Sequence, residues 1–316
     1  MSRRYAVVGT GALGGFYGGC LAKAGVEVHF LMRSDAQVAR ERGLRVDSKS
    51  HGVFKVHPAR VYERAEVMPV CDVVLVCLKT TANEALRELL PSVMGPETTV
   101  VMMQNGLGVE GDAAAVVGGD RVLGGLCFVC CNKVGPAEVV HLDYGDVRLG
   151  RYRADGSAGG VDEVMEGVAA DFGAAGIEVR LIEDLVLARW QKLVWNVPYN
   201  GLSVVLGVTT DVIMGDPGLR RMAEALMMEV AAAARGAAGR AIDAGFIREM
   251  LERTERMRPY RPSMLVDREQ GRALEAGSIF GAPLAAARGA GVETPRLELL
   301  AAQVAVLAER VEAVRG

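Results

Sequence analysis

Gly9, Gly11 and Gly14 stand in a G-x-G-x-x-G arrangement between two apolar runs, and this constrains the fold more than any other feature of the chain. Residues 4–9, RYAVVG, have the continuous apolar character of a strand buried on both faces. GALGGFYGGCLAKAG follows with small residues at helical spacing, and VEVHFLM, 26–32, reads as a second strand. Strand, tight turn, helix and strand within about 30 residues form the unit from which a parallel sheet is built. In that setting each glycine has its own physical task. Gly9 permits the tight turn, Gly11 lets backbone approach an anion, and Gly14 lets the helix lie close on the strand. Ala12 and Leu13 open the helix, where free N–H groups and the positive end of the helix dipole face that anion. The arrangement predicts a dinucleotide site, against the blander alternative of a glycine-rich packing turn.

The rest of the chain extends this unit. CDVVLVCLK, 71–79, and TTVVMMQNG, 98–106, read as further buried strands separated by a helical stretch, NEALRELLPSV. Apolar strands alternating with helices predict an α/β, Rossmann-type doubly wound domain. Over residues 121–151 the pattern changes. RVLGGLCFVC, AEVVHLDYG and DVRLGRY are closely spaced and are expected to be antiparallel, followed by a helix in VDEVMEGVAADFGAAG and a last strand in IEVRLIE. After residue 183 the strand signal ends. Residues 184–207, 216–244, 262–288 and 296–313 read as helices separated by Gly- and Pro-containing breaks. The expected division is a dinucleotide-binding Rossmann-like domain at 1–183 and an all-α domain at 184–316.

With 316 residues and a formal net charge of -3, the chain has no basic stripe suited to nucleic acid, and no apolar run long enough to span a bilayer. The Arg3-Arg4 pair resembles part of an export signal. The segment runs directly into the glycine-rich unit, however, so it is expected to stay with the folded chain. Of six cysteines, most lie in apolar runs, where a thiol behaves as a small hydrophobe. Cys127, Cys130 and Cys131 lack a second pair or nearby histidines, so a metal or redox role is the lesser reading, and a reducing, cytoplasmic setting is expected.

Four places carry candidate chemistry. At the end of the second strand, Arg33 can fork onto a phosphate and Ser34 can donate to it, which favours NADP; Asp35 nearby argues for NAD. Lys79 and Asn105-Gly106 end later strands, where ligands of open α/β sheets bind, though by themselves a solvated lysine and a plain turn are the simpler readings. In LVLARWQKLVWNVPYNGLSVVLG, residues 185–207, Lys192, Asn196 and Asn200 recur every fourth position on an apolar helix. They share one face, so an ammonium and two amides form a row. A buried lysine is tunable and suits proton transfer; a lysine snorkelling to water beside two solvated amides is the alternative. Pro198 is expected to kink that helix. Finally, Ser263 reads as a helix N-cap, and the acids and arginines from Asp267 to Glu275 read as a solvated face.

Together these segments resemble the ketopantoate reductase (2-dehydropantoate 2-reductase) family. The resemblance rests on GTGALGG at 9–15, CLK at 77–79, QNGLG at 104–108, RWQKLVWNVPYNGLS at 189–203 and SMLVDREQGRALE at 263–275. It implies an NADPH-dependent reductase of a 2-oxo acid, with Lys192 as proton donor and Asn196, Asn200 and Ser263 holding the substrate. Asn105 would touch both cofactor and substrate. Arg33 and Lys79 would contact the phosphorylated adenosine end of NADPH, Cys131 would offer its backbone to the cofactor, and Glu275 would stand at the nicotinamide side.

The chain also departs from the family pattern. EAGSIFG places Gly277 and Phe280 where polar residues are common, CFVCC replaces a more polar segment, and a further polar substrate contact would fall around Thr210. These departures motivate a different branched or aromatic 2-oxo acid as an alternative substrate. A non-catalytic NADP-binding sensor is the alternative from another class. The apolar helical domain leaves a homodimer open.

Overall fold

The computed structural model describes residues 3–314. They divide into two compact units. One takes the chain up to Asn105 together with Val109–Leu185, and the other takes Gly106–Gly108 and the described chain from Val186 onward.

The first unit is built on a ten-stranded sheet. Its strands are β1 (Arg4–Val8), β2 (Glu27–Leu31), β3 (Leu44–Ser48), β4 (Gly52–Val56), β5 (Arg60–Tyr62), β6 (Cys71–Val76), β7 (Met94–Met102), β8 (Val122–Gly135), β9 (Glu138–Arg151) and β10 (Val179–Ile182). The order is β4-β3-β9-β8-β7-β6-β1-β2-β5, with β10 also paired to β9. The run β5-β2-β1-β6-β7-β8 is parallel throughout. The chain leaves β1 toward β2 and later returns to its other side as β6, which makes β1/β6 the switch point where open α/β sheets bind ligands.

Alternation along β1 shows why its sequence is apolar without interruption. Tyr5 and Val7 enter a core with Phe16, Phe30 and Leu75, while Ala6 and Val8 enter another with Val74, Leu86 and Val100. The helices of this unit are α1 (Ala12–Lys23), α2 (Ala36–Arg42), α3 (Leu86–Val93), α4 (Val109–Val117) and α5 (Glu163–Ala174).

Three strands, β3 to β5, lie where the sequence carries no clear strand signal. They are short, interrupted by charge, and half exposed on β4, so period-2 patterning is weak there. The segments AEVVHLDYG and DVRLGRY are one strand, β9, rather than two. It passes through an irregularity at Tyr144 (φ 60°) and Gly145 (φ 129°), beside register shifts between Phe128 and Val129 and between Cys130 and Cys131. The glycine reads as a strand end in sequence, and pairing to β8 carries the chain through it. The β8–β9 pair is antiparallel, as expected, and β10 is parallel to β9.

The second unit is helical: α6 (Leu185–Leu206), α7 (Thr210–Gly215), α8 (Pro217–Ala238), α9 (Ala244–Glu255), α10 (Ser263–Glu269), a π-helical turn at Gly277–Gly281, α11 (Ala282–Gly289) and α12 (Pro295–Ala313). Its core gathers Trp190, Leu193, Val197 and Tyr199 of α6 with residues of the surrounding helices. The stretch 216–244 ends as a helix at Gly239, which adopts the left-handed conformation, and Asp243 then caps α9 by accepting the Phe246 amide at 2.9 Å. The stretch 262–288 is two helices and not one. Gly271 (φ 63°) closes the first, and a side-chain bond from Arg272 Nε to Asp267 (2.9 Å) holds the turn. Across Pro198, α6 is helical without interruption. The missing N–H removes only the bond to the Val194 carbonyl, and burial on nearly all sides holds the remaining turns.

Candidate active site

The nucleotide half is assembled at the carboxyl ends of adjacent parallel strands, β1, β2, β6 and β7. Gly9 follows β1 with φ 95°, and a Cβ there meets the Leu78 amide nitrogen at 2.6 Å. A Cβ on Gly14 meets the Gly9 carbonyl oxygen and lies 2.8 Å from Val7, so the third glycine is what lets α1 sit on β1. Gly11 is different: a Cβ there meets nothing within 4 Å. It is the N-cap of α1, with Ala12 and Leu13 half-buried behind it, so the space in front of the first helical amides is open. An open cradle at a helix N-terminus of 12 residues fits a pyrophosphate. Thr10 ties this loop to the end of β2 by donating to the Leu31 carbonyl at 3.0 Å.

At that end Arg33 and Ser34 are exposed and Asp35 is buried. Asp35 accepts from the Ala137 amide at 2.8 Å, from Lys133 Nζ at 2.6 Å and from Ser34 Oγ at 2.9 Å. Burial pushes its pKa up, but the bonds from Ala137 and Lys133 outweigh this and hold the carboxyl below its ordinary range. The acid that argues for NAD is therefore committed elsewhere. Ser34 spends its only hydroxyl proton on Asp35, which corrects the expectation that it donates to a phosphate. Arg33 is left as the cation at this edge.

Lys79 and Asn105, both half-buried, follow β6 and β7. Gln104, buried between them in sequence space, donates from Nε2 to the Leu78 carbonyl (2.9 Å) and to Asn83 Oδ1 (2.6 Å). It thus fixes the two strand ends that carry Lys79 and Asn105, a role not legible from the QNG motif. Cys131 lies on β8 beside the register shift. Burial pushes its thiol strongly upward and Cys127 and Cys130 add to this, against a downward pull from Lys79. The Cys131 thiol is thereby disfavoured from ionising and offers no thiolate charge at this edge. All six cysteines are free, and the described residues hold no group of three or more side chains arranged for a metal.

The second unit holds the chemistry-bearing residues. Lys192, Asn196 and Asn200 are all buried, at 8%, 6% and 3% exposure, which removes the reading of a snorkelling lysine beside solvated amides. Asn200 Oδ1 accepts from the Met264 amide (3.2 Å) and from Ser263 Oγ (3.4 Å). The cap of α10 is Pro262, so Ser263 is no N-cap; it stands in the first turn and reaches α6. With its oxygen so engaged, the Asn200 amide turns its two N–H donors the other way.

Glu275 is buried at 3% exposure just ahead of the π-helical turn, a distortion frequent at functional sites. Asp267 is buried too, and Arg268 reaches the Val204 carbonyl near the end of α6, so this stretch is no solvated face. Gly106 (φ 105°) fits against Ser278, where a Cβ comes within 2.6 Å of the serine hydroxyl, and Leu107 N–H donates to the Ser278 carbonyl at 2.9 Å.

Phe280 lies fully buried in the helical core, against Gly201 of α6. Thr210 uses its hydroxyl to accept from the Tyr260 amide at 3.2 Å, a bond that holds backbone. Sequence reasoning passed over Arg189, buried at 2% exposure one turn before Lys192; a second cation in the same apolar helix was the available signal.

The sequence matches the family models described as ketopantoate reductase PanE/ApbA over residues 5–154 and ketopantoate reductase PanE/ApbA C terminal over residues 184–308. It is 47% identical over 305 residues to a 2-dehydropantoate 2-reductase from Nostoc sp., covering 96% of this chain and 95% of that protein. A solved 2-dehydropantoate 2-reductase from Geobacter metallireducens superposes with TM-score 0.91 at 39% identity, covering 97% of this chain and 99% of the other. One from Methylococcus capsulatus gives 0.87 at 35% identity, covering 98% and 97%.

Proposed function

The chain belongs to the ketopantoate reductase PanE/ApbA family, and from that premise we propose that it reduces 2-dehydropantoate (ketopantoate) to (R)-pantoate with NADPH, in pantothenate biosynthesis. The observation that carries the reading is the buried row Lys192, Asn196, Asn200 on α6, with the Asn200 oxygen tied off by α10. Burying an ammonium and two amides on a core helix costs stability unless each is hydrogen-bonded or paired, so their alignment there calls for a reason beyond packing.

In this reading NADPH supplies the hydride that reaches the 2-oxo carbon. Gly9, Gly11, Ala12, Leu13 and Gly14 would hold its pyrophosphate, Arg33 and Lys79 would hold its phosphorylated adenosine end, Asn105 would touch both cofactor and substrate, and Cys131 would offer its backbone to the cofactor. Lys192, as ammonium, donates a proton to the alkoxide oxygen as charge develops there. General acid catalysis of this kind contributes about two to four orders of magnitude. Asn196, Asn200 and Ser263 orient the oxo acid with neutral donors that do not compete for the proton. Glu275 would orient Lys192 or bind the product hydroxyl. Nucleotide binding is assigned to residues 1–183 and substrate handling to 184–316.

The experiment is NADPH oxidation with a panel of branched and aromatic 2-oxo acids. Ketopantoate is expected to show the highest kcat/KM; a strong preference for another acid removes the pathway role, and NADPH binding without turnover on any acid makes the protein a sensor. Burial of Phe280 in the core takes away one motive for an aromatic substrate.

The reading includes a cytoplasmic setting, supported by six free thiols, and among the described residues no helix is long and apolar enough to cross a membrane. It also includes a homodimer, supported by exposed Met222 and Met228 on α8 and Leu299 and Val306 on α12; light scattering tests it.

A further inference from the structure

Asp35 sits at the N-cap position of α2, where an aspartate ordinarily folds back onto the first amides of its own helix. It makes no such bond. Its backbone adopts φ -100° and ψ -2°, and its carboxylate turns instead to the turn between β8 and β9, roughly a hundred residues later in sequence. There Ala137, itself at φ 54°, donates its amide at 2.8 Å, and Lys133 Nζ lies 2.6 Å away. The Ala137 carbonyl in turn accepts from the Arg45 amide at 2.9 Å, so the turn is anchored on β3 as well. Side-chain exposure is 9% for Asp35 and 33% for Lys133, which places the carboxylate inside and the ammonium at the rim. Two residues earlier, Arg33 is exposed, and among the described residues it has no ion-pair partner.

An acid near the end of β2 is what a ribose with a free 2′-hydroxyl selects, and an unmasked acid there repels a 2′-phosphate. We propose that Lys133 is a positioning residue for coenzyme selectivity: by holding the Asp35 carboxylate against the β8–β9 turn, it leaves the edge beside Arg33 to the 2′-phosphate of NADPH. Lys133 acts on the nucleotide through Asp35 and does not touch it. The inference rests on the reading that the carboxyl edge of the sheet binds a dinucleotide.

The test is direct titration of NADPH and of NADH into the full-length protein, by quenching of tryptophan fluorescence and with no oxo acid present. Lys133→Met keeps the stem and removes the charge. It is expected to weaken NADPH binding on the order of tenfold while NADH binding holds or tightens, the size that one unmasked charge near an exposed phosphate commands. The loss should shrink at high salt, where exposed charges are screened. Lys133→Arg should bind NADPH as the unaltered protein does. The double variant Lys133→Met/Asp35→Asn should recover NADPH affinity, because the charge that Lys133 restrained is gone.

An unchanged NADPH-to-NADH ratio in Lys133→Met overturns the proposal. So does a double variant as weak as the single one, since the contact then acts through packing and not through charge. Failure of the unaltered protein to bind either nucleotide would instead remove the dinucleotide reading itself, and this inference with it. Thermal melts of each variant separate a weakened site from a weakened fold.

Discussion

Asn200 and Met264 are joined across 64 positions of sequence, the side-chain oxygen of the first accepting the backbone amide of the second at 3.2 Å. The bond gives Asn200 two roles in one side chain. Its oxygen satisfies an amide in the first turn of α10, and its nitrogen keeps the two donors that, in the proposed reaction, would meet the oxo acid.

The two roles can be separated. Asn200→Asp keeps an oxygen for Met264 but removes the donors and adds a negative charge. It should melt within a few degrees of the unaltered protein yet raise the KM for the oxo acid at least tenfold, the effect of turning a buried donor to an anion into a like charge. Asn200→Ala should cost about 1–2 kcal/mol of stability as well, through the lost bond to α10. Equal KM values for the two aspartate and alanine variants and the parent would show that Asn200 serves the fold alone.

Lys192→Ala should lower kcat by about two to four orders of magnitude, the range of a lost general acid. NADPH affinity, measured by fluorescence without substrate, should stay within about twofold, since only an interaction made in the transition state has been removed. Turnover near that of the parent would exclude Lys192 as the proton donor.

The glycines of the loop predict opposite phenotypes. Gly14→Ala drives a methyl into the Gly9 carbonyl and Val7, neither of which can move far, and should destabilise the protein by about 1–3 kcal/mol. Gly11→Ala meets open space, so its melting temperature should hold within the about 0.5 kcal/mol typical of exposed substitutions. Its NADPH affinity should fall instead, because the methyl occupies the anion cradle. A melt and an NADPH titration on each variant check both halves.

Gly106→Ala is expected to destabilise by about 1–3 kcal/mol, through a φ of 105° and a collision with the Ser278 side chain. Adding Ser278→Gly removes the contact with the Ser278 hydroxyl but leaves its backbone carbonyl 2.7 Å from the new methyl, together with the backbone strain. The double variant should therefore recover part of the loss, and a double-mutant cycle by denaturant unfolding should show a coupling of about 0.5–3 kcal/mol.

Acid should weaken the first unit through its histidines. Burial is the first cause lowering the pKa of His141, His51 and His29 below 6.5; carbonyls of Tyr144 and Asp143 oppose it at His141, and Glu27 opposes it at His29. Between the lowered native value and 6.5 the unfolded chain binds more protons than the folded one, so stability rises with pH across that window. The contribution is complete above about 6.5 and is lost as pH falls through the native values. Melting temperatures from pH 7.5 down to 5 should decline. The slope should be shallower in His141→Gln, where the imidazole between Ser48 Oγ (2.8 Å) and the Tyr144 carbonyl (2.9 Å) is gone. An unchanged slope in that variant would remove His141 from the account.

What the sequence determined by itself is local in origin. The apolar run of β1 dictates a strand with both faces buried. The spacing of Gly9, Gly11 and Gly14 then demands a turn and a helix, and the period of four puts Lys192, Asn196 and Asn200 in line. These follow from backbone geometry and period, which short stretches of chain carry in full.

What only the tertiary structure decided concerns partners distant in the chain. That Asp35 belongs to Lys133 and Ala137, that Ser34 spends its proton there, and that Asn200 faces α10 depend on loops brought together across roughly 60 to 100 residues. A carboxylate near the end of β2 looks the same in sequence whether it waits for a ribose or neutralises a lysine. Local pattern assigns a residue its direction, but charge and hydrogen bonding are settled by whichever group arrives opposite it, and that group is chosen by the fold.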